Sequence, residues 1–229
     1  MRAAIYYAPA PGTEIAGTAA EWLGRDAFSG EATREADGGI DPLVAEPARY
    51  GFHATMKAPF RLADGCNLEV LSEALAAFTA RRDSVTINTL ALQQIDGFFA
   101  LVPADAEPEL DALAAETVEA FEPFRAPLTS AERDRRRPER LSERERELLD
   151  RYGYPYVLDA FRFHMTLTGR IGDGAEDVGR ILSSRFAFVI DRPLPIDALT
   201  LFVEPEPGAP FRAHARHAFQ SPASEPSAP

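Results

Sequence analysis

The spacing of apolar positions divides the chain into short strands and amphipathic helices. Residues 2–8 alternate loosely around Ile5, Tyr6 and Tyr7 and predict a first strand, which Pro9, Pro11 and Gly12 end. Ile15, Ala19, Trp22 and Leu23 recur at helical spacing, so Thr13 to Phe28 reads as a helix with Thr13 as its N-cap. Residues 29–48 are polar and rich in Gly and acids, which predicts a loop, and Arg49 to Phe60 reads as a strand stopped at Ala58-Pro59. Leu68, Leu71, Leu75 and Phe78 mark a helix from about Asn67 to Arg82. Ser84 to Ile95 and Phe98 to Pro103 form two strands joined at Asp96-Gly97, a strong hairpin dipeptide. Glu107 to Phe124 is amphipathic, with Leu110, Leu113, Val118 and Phe121 inward. A strand over 161–171, a helix over Glu176 to Arg185 and a last strand pair, Pro195 to Val203 with Phe211 to Phe219, complete the pattern. The Ser/Pro/Ala-rich residues 221–229 predict a disordered tail.

The order of elements repeats between the halves. Helix, strand, helix and strand pair follow one another twice, which predicts two similar lobes within one domain over 1–220. Between them, about 125–158, lies an insertion dense in charge. Ala131 to Arg151 holds eight Arg against seven Asp or Glu, which reads first as a solvated helix laced with i,i+4 pairs and second as a substrate-covering lid. The cluster Tyr152-Gly153-Tyr154-Pro155-Tyr156 just after it keeps the lid reading open.

Chemistry concentrates on two of the repeated strands. Gly51-Phe52-His53-Ala54-Thr55-Met56 and Arg162-Phe163-His164-Met165-Thr166-Leu167 each carry His-x-Thr behind an aromatic residue. Residues i and i+2 of a strand share a face, so His53, Thr55 and Lys57 point one way, and Arg162, His164, Thr166, Thr168 and Arg170 do so in the second strand. In-line attack on a phosphodiester needs a base at the entering oxygen and an acid at the leaving one, and imidazole serves either role near neutral pH. Thr hydroxyls can donate to the non-bridging oxygens, while Lys57, Arg162 and Arg170 would neutralise the phosphate. One His-x-Thr carries little information, because a lone strand histidine is usually structural. Two in matched strands with cations on the same face reverse that weighting. His214 and His217, three apart on the last strand, face opposite ways and read as surface or edge residues.

Charge and cysteine content narrow the partners. A net charge of −12 repels a long polyanion and argues against duplex DNA, so any phosphate should sit in a small, locally basic pocket. Cys66 is the only cysteine, and two paired histidines are too few for a metal site, so neither a disulfide nor a metal or other cofactor is expected. The N-terminal apolar run is too short for a signal-peptide core, and no stretch suits a bilayer crossing, which together predict a cytoplasmic protein with no membrane partner.

The paired motifs resemble the signature of the 2H phosphoesterase superfamily. The longer segments Arg49-Tyr50-Gly51-Phe52-His53-Ala54-Thr55-Met56-Lys57-Ala58-Pro59-Phe60, Phe124-Arg125-Ala126-Pro127-Leu128, Gly153-Tyr154-Pro155-Tyr156-Val157 and Phe161 to Arg170 resemble an uncharacterised, DUF1045-type family linked to bacterial phosphonate metabolism. The resemblance implies an α+β, bilobal, pseudo-two-fold 2H phosphoesterase-like fold, with antiparallel sheets facing a central groove and helices outside. It also implies His53, Thr55, His164 and Thr166 as catalytic residues, and a cyclic or linear phosphodiester of a small nucleotide or sugar phosphate as substrate. An RNA-end processing enzyme of the same fold, or a non-catalytic binder of a phosphate ligand, remain the alternatives.

Overall fold

The computed structural model describes residues 1–220. The fold is α+β, built on a seven-stranded antiparallel sheet. In chain order the elements are β1 (Arg2–Tyr7), α1 (Glu14–Leu23), α2 (Asp41–Tyr50), β2 (Ala54–Phe60), α3 (Leu68–Thr79), β3 (Val85–Ile87), β4 (Leu90–Ile95), β5 (Phe98–Pro103) and α4 (Pro108–Ala120). There follow α5 (Ser130–Asp134), α6 (Glu143–Tyr152), β6 (Met165–Thr166), α7 (Ala175–Arg185), β7 (Leu194–Ile196), β8 (Ala198–Glu204) and β9 (Arg212–Ala218). The large sheet runs β4-β5-β6-β2-β1-β8-β9, and β3 pairs with β7 in a separate two-stranded sheet. Two sheets facing one another were expected. Instead the strands of both halves form one sheet, because β6 hydrogen-bonds to β5 on one side and to β2 on the other.

Alternation assigns the two faces of this sheet opposite tasks. Ala3, Ile5, Tyr7, Ala54, Met56, Met165, Leu199 and Leu201 enter the main core, which α1, α3, α4 and α7 cover with their apolar stripes. The core is continuous across the halves. A buried hydrogen bond from the Trp22 indole N–H to the Leu167 carbonyl, at 2.7 Å, ties α1 to the second motif. On the other face Ala4, Tyr6 and Phe202 pack with Phe211. Leu148, Tyr152 and Val157 of the insertion pack against Val118 of α4 in a separate cluster. Among the described residues, no helix is long and apolar enough to cross a membrane.

Most predicted elements form close to their expected limits, and the departures have local causes. Thr13 does not cap α1 with its side chain, because its hydroxyl donates to the Ala10 carbonyl at 2.7 Å. Residues 41–50, expected as loop and strand, form α2. The Asp37 carboxylate accepts the Gly39 and Ile40 N–H groups just ahead of it, Pro42 lies in its first turn, and Val44 is buried. The predicted strand over 84–95 breaks into β3 and β4, which join different sheets. The strand predicted over 161–171 keeps regular pairing only at Met165–Thr166. Past it, the Leu167 and Thr168 N–H groups share the Phe99 carbonyl, the Thr168 hydroxyl accepts from Phe99 N–H, and Gly169 N–H turns to the Leu43 carbonyl on α2. Thr168 is therefore fully buried, with its hydroxyl taken by Phe99 N–H, although it still borders the pocket. The tail over 221–229 lies outside the described residues.

Between α2 and β2 the chain must turn sharply, and Gly51 permits it. Its φ of 77° and ψ of 173° lie in a region essentially restricted to glycine, and an added Cβ would overlap the Ala27 Cβ. Gly51→Ala is expected to destabilise the fold by about 2–4 kcal/mol through backbone strain and overlap. Urea denaturation of the two proteins measures this, and equal midpoints would show that the Ala27 loop yields without cost.

Candidate active site

The two His-x-Thr motifs meet at the middle of the large sheet. Ala54 is the direct antiparallel partner of Met165, so the central residues of both tripeptides face each other and both point into the main core. Antiparallel geometry then sets His53 opposite Thr166 and Thr55 opposite His164, with all four side chains on the other face. The two histidines then form a diagonal pair across this joint, with Cα atoms on the order of 7–8 Å apart, and His164 is close enough to act on the titration of His53.

Each imidazole is held in the same way. The Nδ1–H of His53 donates to the Gly51 carbonyl, and that of His164 to the Arg162 carbonyl, both at 2.8 Å and both two residues back along the chain. A carbonyl can only accept, so each neutral ring carries its free lone pair on Nε2. The Thr55 hydroxyl stands 3.3 Å from His53 Nε2. The Tyr6 ring stacks on His53 at 3.8 Å between centroids, while His164 has Phe98 at 5.8 Å. Tyr6 is the cross-strand partner of Thr55, which explains why it lies beside the histidine.

Burial among Tyr6, Tyr50 and Phe202 lowers the His53 pKa to about 4; the Gly51 carbonyl opposes the shift, and the neighbouring His164 adds to it. His53 is therefore neutral at pH 7, although part of its ring reaches the surrounding pocket.

That pocket has a volume of about 990 Å³ and is lined by His53, Thr55, His164 and Thr166. Eight Arg or Lys side chains line it against three Glu, an excess of positive charge inside a chain of net charge −12. Most of these cations have acidic partners. Arg2 and Arg49 converge on the buried Glu204, Arg61 pairs with Glu132, and Arg125 with Glu122. Arg135, Arg136 and Arg170 have no carboxylate within ion-pair distance among the described residues. No group of three or more His, Cys, Asp or Glu able to hold a metal occurs among the described residues.

The cations expected to bind substrate separate into three cases. Arg170 is exposed, lines the pocket and has no acidic partner there. Lys57 also borders the pocket, but its buried ammonium donates to the Val118 carbonyl and to Glu122, each at 2.9 Å. Burial lowers its pKa while Glu122 opposes the shift, and the side chain ties β2 to α4. Arg162 is exposed and stands outside the pocket lining, and its backbone carbonyl orients His164. His214 is exposed, and His217 meets the Ser72 hydroxyl at 3.0 Å, away from the pocket.

Sequence reasoning missed one wall of the pocket. Tyr6, Tyr50 and Tyr154 line it, and the phenol pKa values of Tyr6 and Tyr154 are raised by burial first and then by neighbouring tyrosines, including Tyr50 in both cases. The charged insertion contributes Arg135 and Arg136, with the Arg136 guanidinium 4.9 Å from the Tyr154 ring centroid. Among the eight arginines of Ala131 to Arg151, nothing local distinguishes these two. Only the tyrosine cluster after the run hinted at a role near the site.

Comparison with known proteins gives two kinds of match. The profile of a family described as "Protein of unknown function (DUF1045)" matches residues 55–212. Two curated proteins named "Ribose 1,5-bisphosphate phosphokinase PhnN" are similar to the chain. The one from Janthinobacterium sp. (strain Marseille) is 38% identical over 221 residues, covering 92% of this chain and 49% of that protein. The one from Laribacter hongkongensis (strain HLHK9) is 39% identical over 224 residues, covering 93% and 50%. The chain thus spans about half the length of the curated relatives it matches.

The depressed pKa of His53 has a direct consequence. Titration of the imidazole proton signals by NMR is expected to show His53 protonating near pH 4, below the ordinary histidine value of about 6.5. The folded protein then refuses a proton that the unfolded chain accepts, so this residue's share of stability is intact above about pH 6.5 and declines as pH falls toward 4. An ordinary midpoint would mean that the ring is solvated and the stacking on Tyr6 is loose.

Proposed function

This chain belongs to the DUF1045 family, and from that premise we propose that it is a metal-independent phosphoesterase that hydrolyses a phosphodiester of a small sugar phosphate or nucleotide. The observation that carries the reading is the pairing of Ala54 with Met165, which aligns two histidines with identical Nδ1–H anchors in one basic pocket, the Nε2 of His53 lying beside the Thr55 hydroxyl. The flanking strand order, with β1 beside β2 and β5 beside β6, supports a pseudo-two-fold axis at that pair and a 2H phosphoesterase-like fold.

In the mechanism this supports, His53, neutral in the free enzyme, takes a proton from water as its oxygen bonds to phosphorus. His164, protonated, gives its proton to the departing alkoxide oxygen as that P–O bond breaks. The net change is addition of one water, giving a phosphomonoester and an alcohol, which stay joined when the diester is cyclic. Thr55 and Thr166 donate to the non-bridging oxygens, and Arg170 offsets their charge. The phosphokinase named for the relatives fits better in the half of those proteins that this chain does not cover. A phosphate-binding loop of the Gly-Lys-Ser/Thr type needs a lysine after glycine, whereas the single lysine here, Lys57, follows Met56. Their name favours a sugar phosphate as the substrate class.

Assays on a panel of cyclic phosphodiesters of sugars and nucleotides test the proposal. Turnover is expected to survive EDTA. His53→Ala and His164→Ala should each lower it by about 10²–10⁴-fold, with the double variant little worse than either. The acid limb of the kcat/KM profile should fall below the ordinary histidine range, because His53 must be neutral to act. A single variant with near-native turnover on a genuine substrate, or loss of activity on chelation that one divalent ion restores, would reject the mechanism.

A further inference from the structure

We propose that the insertion end of the pocket is a second anion subsite, formed by Arg135, Arg136 and Tyr154, so that the substrate carries a second phosphate or phosphonate remote from the one between the histidines. The inference rests on the functional reading above and extends it to the substrate's other end.

Three observations converge on this end. First, several of the insertion's acids serve the scaffold. Glu132 caps α5 together with Thr129 and also binds Arg61, Asp150 binds Arg133, and Asp159 binds Arg144. Arg135 and Arg136, placed directly after α5, line the pocket without an acidic partner among the described residues. Arg135 spends its Nε–H on the Ala131 carbonyl at 3.1 Å, and no hydrogen bond engages its terminal Nη groups among the described residues. Unmatched positive charges crowded into a pocket repel one another, and an anionic ligand relieves that cost. Second, Arg136 lies against the ring of Tyr154, a half-buried side chain, which restrains its planar fork before any ligand arrives. Third, the pocket is far larger than one phosphate. At about 990 Å³ it reaches the upper end of small-molecule sites, with space for a polar body between two anionic ends. Tyr6 stacks on His53, Tyr50 lies 6.1 Å from it between ring centroids, and Tyr154 lines the same pocket.

Calorimetric titration of the 229-residue chain with inorganic phosphate and with a four-carbon diol bisphosphate tests the proposal. The bisphosphate is expected to bind at least about tenfold more tightly than phosphate, through the added charge-assisted hydrogen bonds. In R135Q/R136Q that advantage should vanish while affinity for inorganic phosphate persists, and R135K/R136K should restore part of it. In H53A/H164A inorganic phosphate should bind more weakly. Far-UV circular dichroism of each variant confirms the fold. A bisphosphate that binds no better than phosphate, or an advantage that R135Q/R136Q retains, overturns the second subsite while leaving the histidine reading intact. Phosphate affinity indifferent to H53A/H164A overturns the histidine reading and, with it, the two-ended substrate.

Discussion

One antiparallel pair, Ala54 with Met165, is the joint on which the rest of the molecule depends. It is short, because β6 contributes only two residues, yet it makes a single sheet of strands from both halves. Both paired side chains are fully buried, so the main core grips the joint from beneath. The consequence appears on the opposite face. A slip of one residue in either strand would turn that strand's histidine toward the core, so burial of Ala54 and Met165 enforces the register that keeps both in the pocket.

Around that joint the backbone does much of the orienting. Each imidazole is aimed by a carbonyl two residues earlier, and one of those carbonyls belongs to a glycine whose conformation other residues resist. Sequence neighbours of the histidines therefore matter through their main chains. Arg162 illustrates this, with its carbonyl at the site and its guanidinium outside the pocket. His53, stacked on Tyr6 and enclosed by aromatic rings, favours the neutral form.

Charge is distributed against the chain's overall sign. An acidic protein keeps a basic pocket by using carboxylates as struts. Glu204 holds Arg2 and Arg49, Glu122 holds Lys57 and Arg125, and Glu132 holds Arg61. These pairs fix walls, while the arginines without such partners remain available to a ligand. Net charge and local potential thus describe different things, and the pocket's character follows from which cations lack a strut.

The amino-acid sequence by itself determined the parts that depend on local periodicity and short-range chemistry. The amphipathic stripes of α1, α3, α4 and α7, the Asp96-Gly97 hairpin and the repeated His-x-Thr face were legible because residues three, four or two apart decide them. Helix α2 was not legible, since its Pro and acidic residues hid a burial pattern that only its packing neighbours reveal. The extent of β6 was decided in three dimensions, by the Phe99 and Leu43 carbonyls that draw its following N–H groups away from the ladder. The same holds for the division of the cations. Lys57 and Arg170 looked equivalent along the chain, yet Glu122, 65 residues further on, claims one and leaves the other. Arg135 and Arg136 differ from the other arginines of the insertion only in where the folded chain points them. Pairing between residues far apart in sequence is a tertiary property, so the identity of the motifs was written locally while the pocket that surrounds them was not.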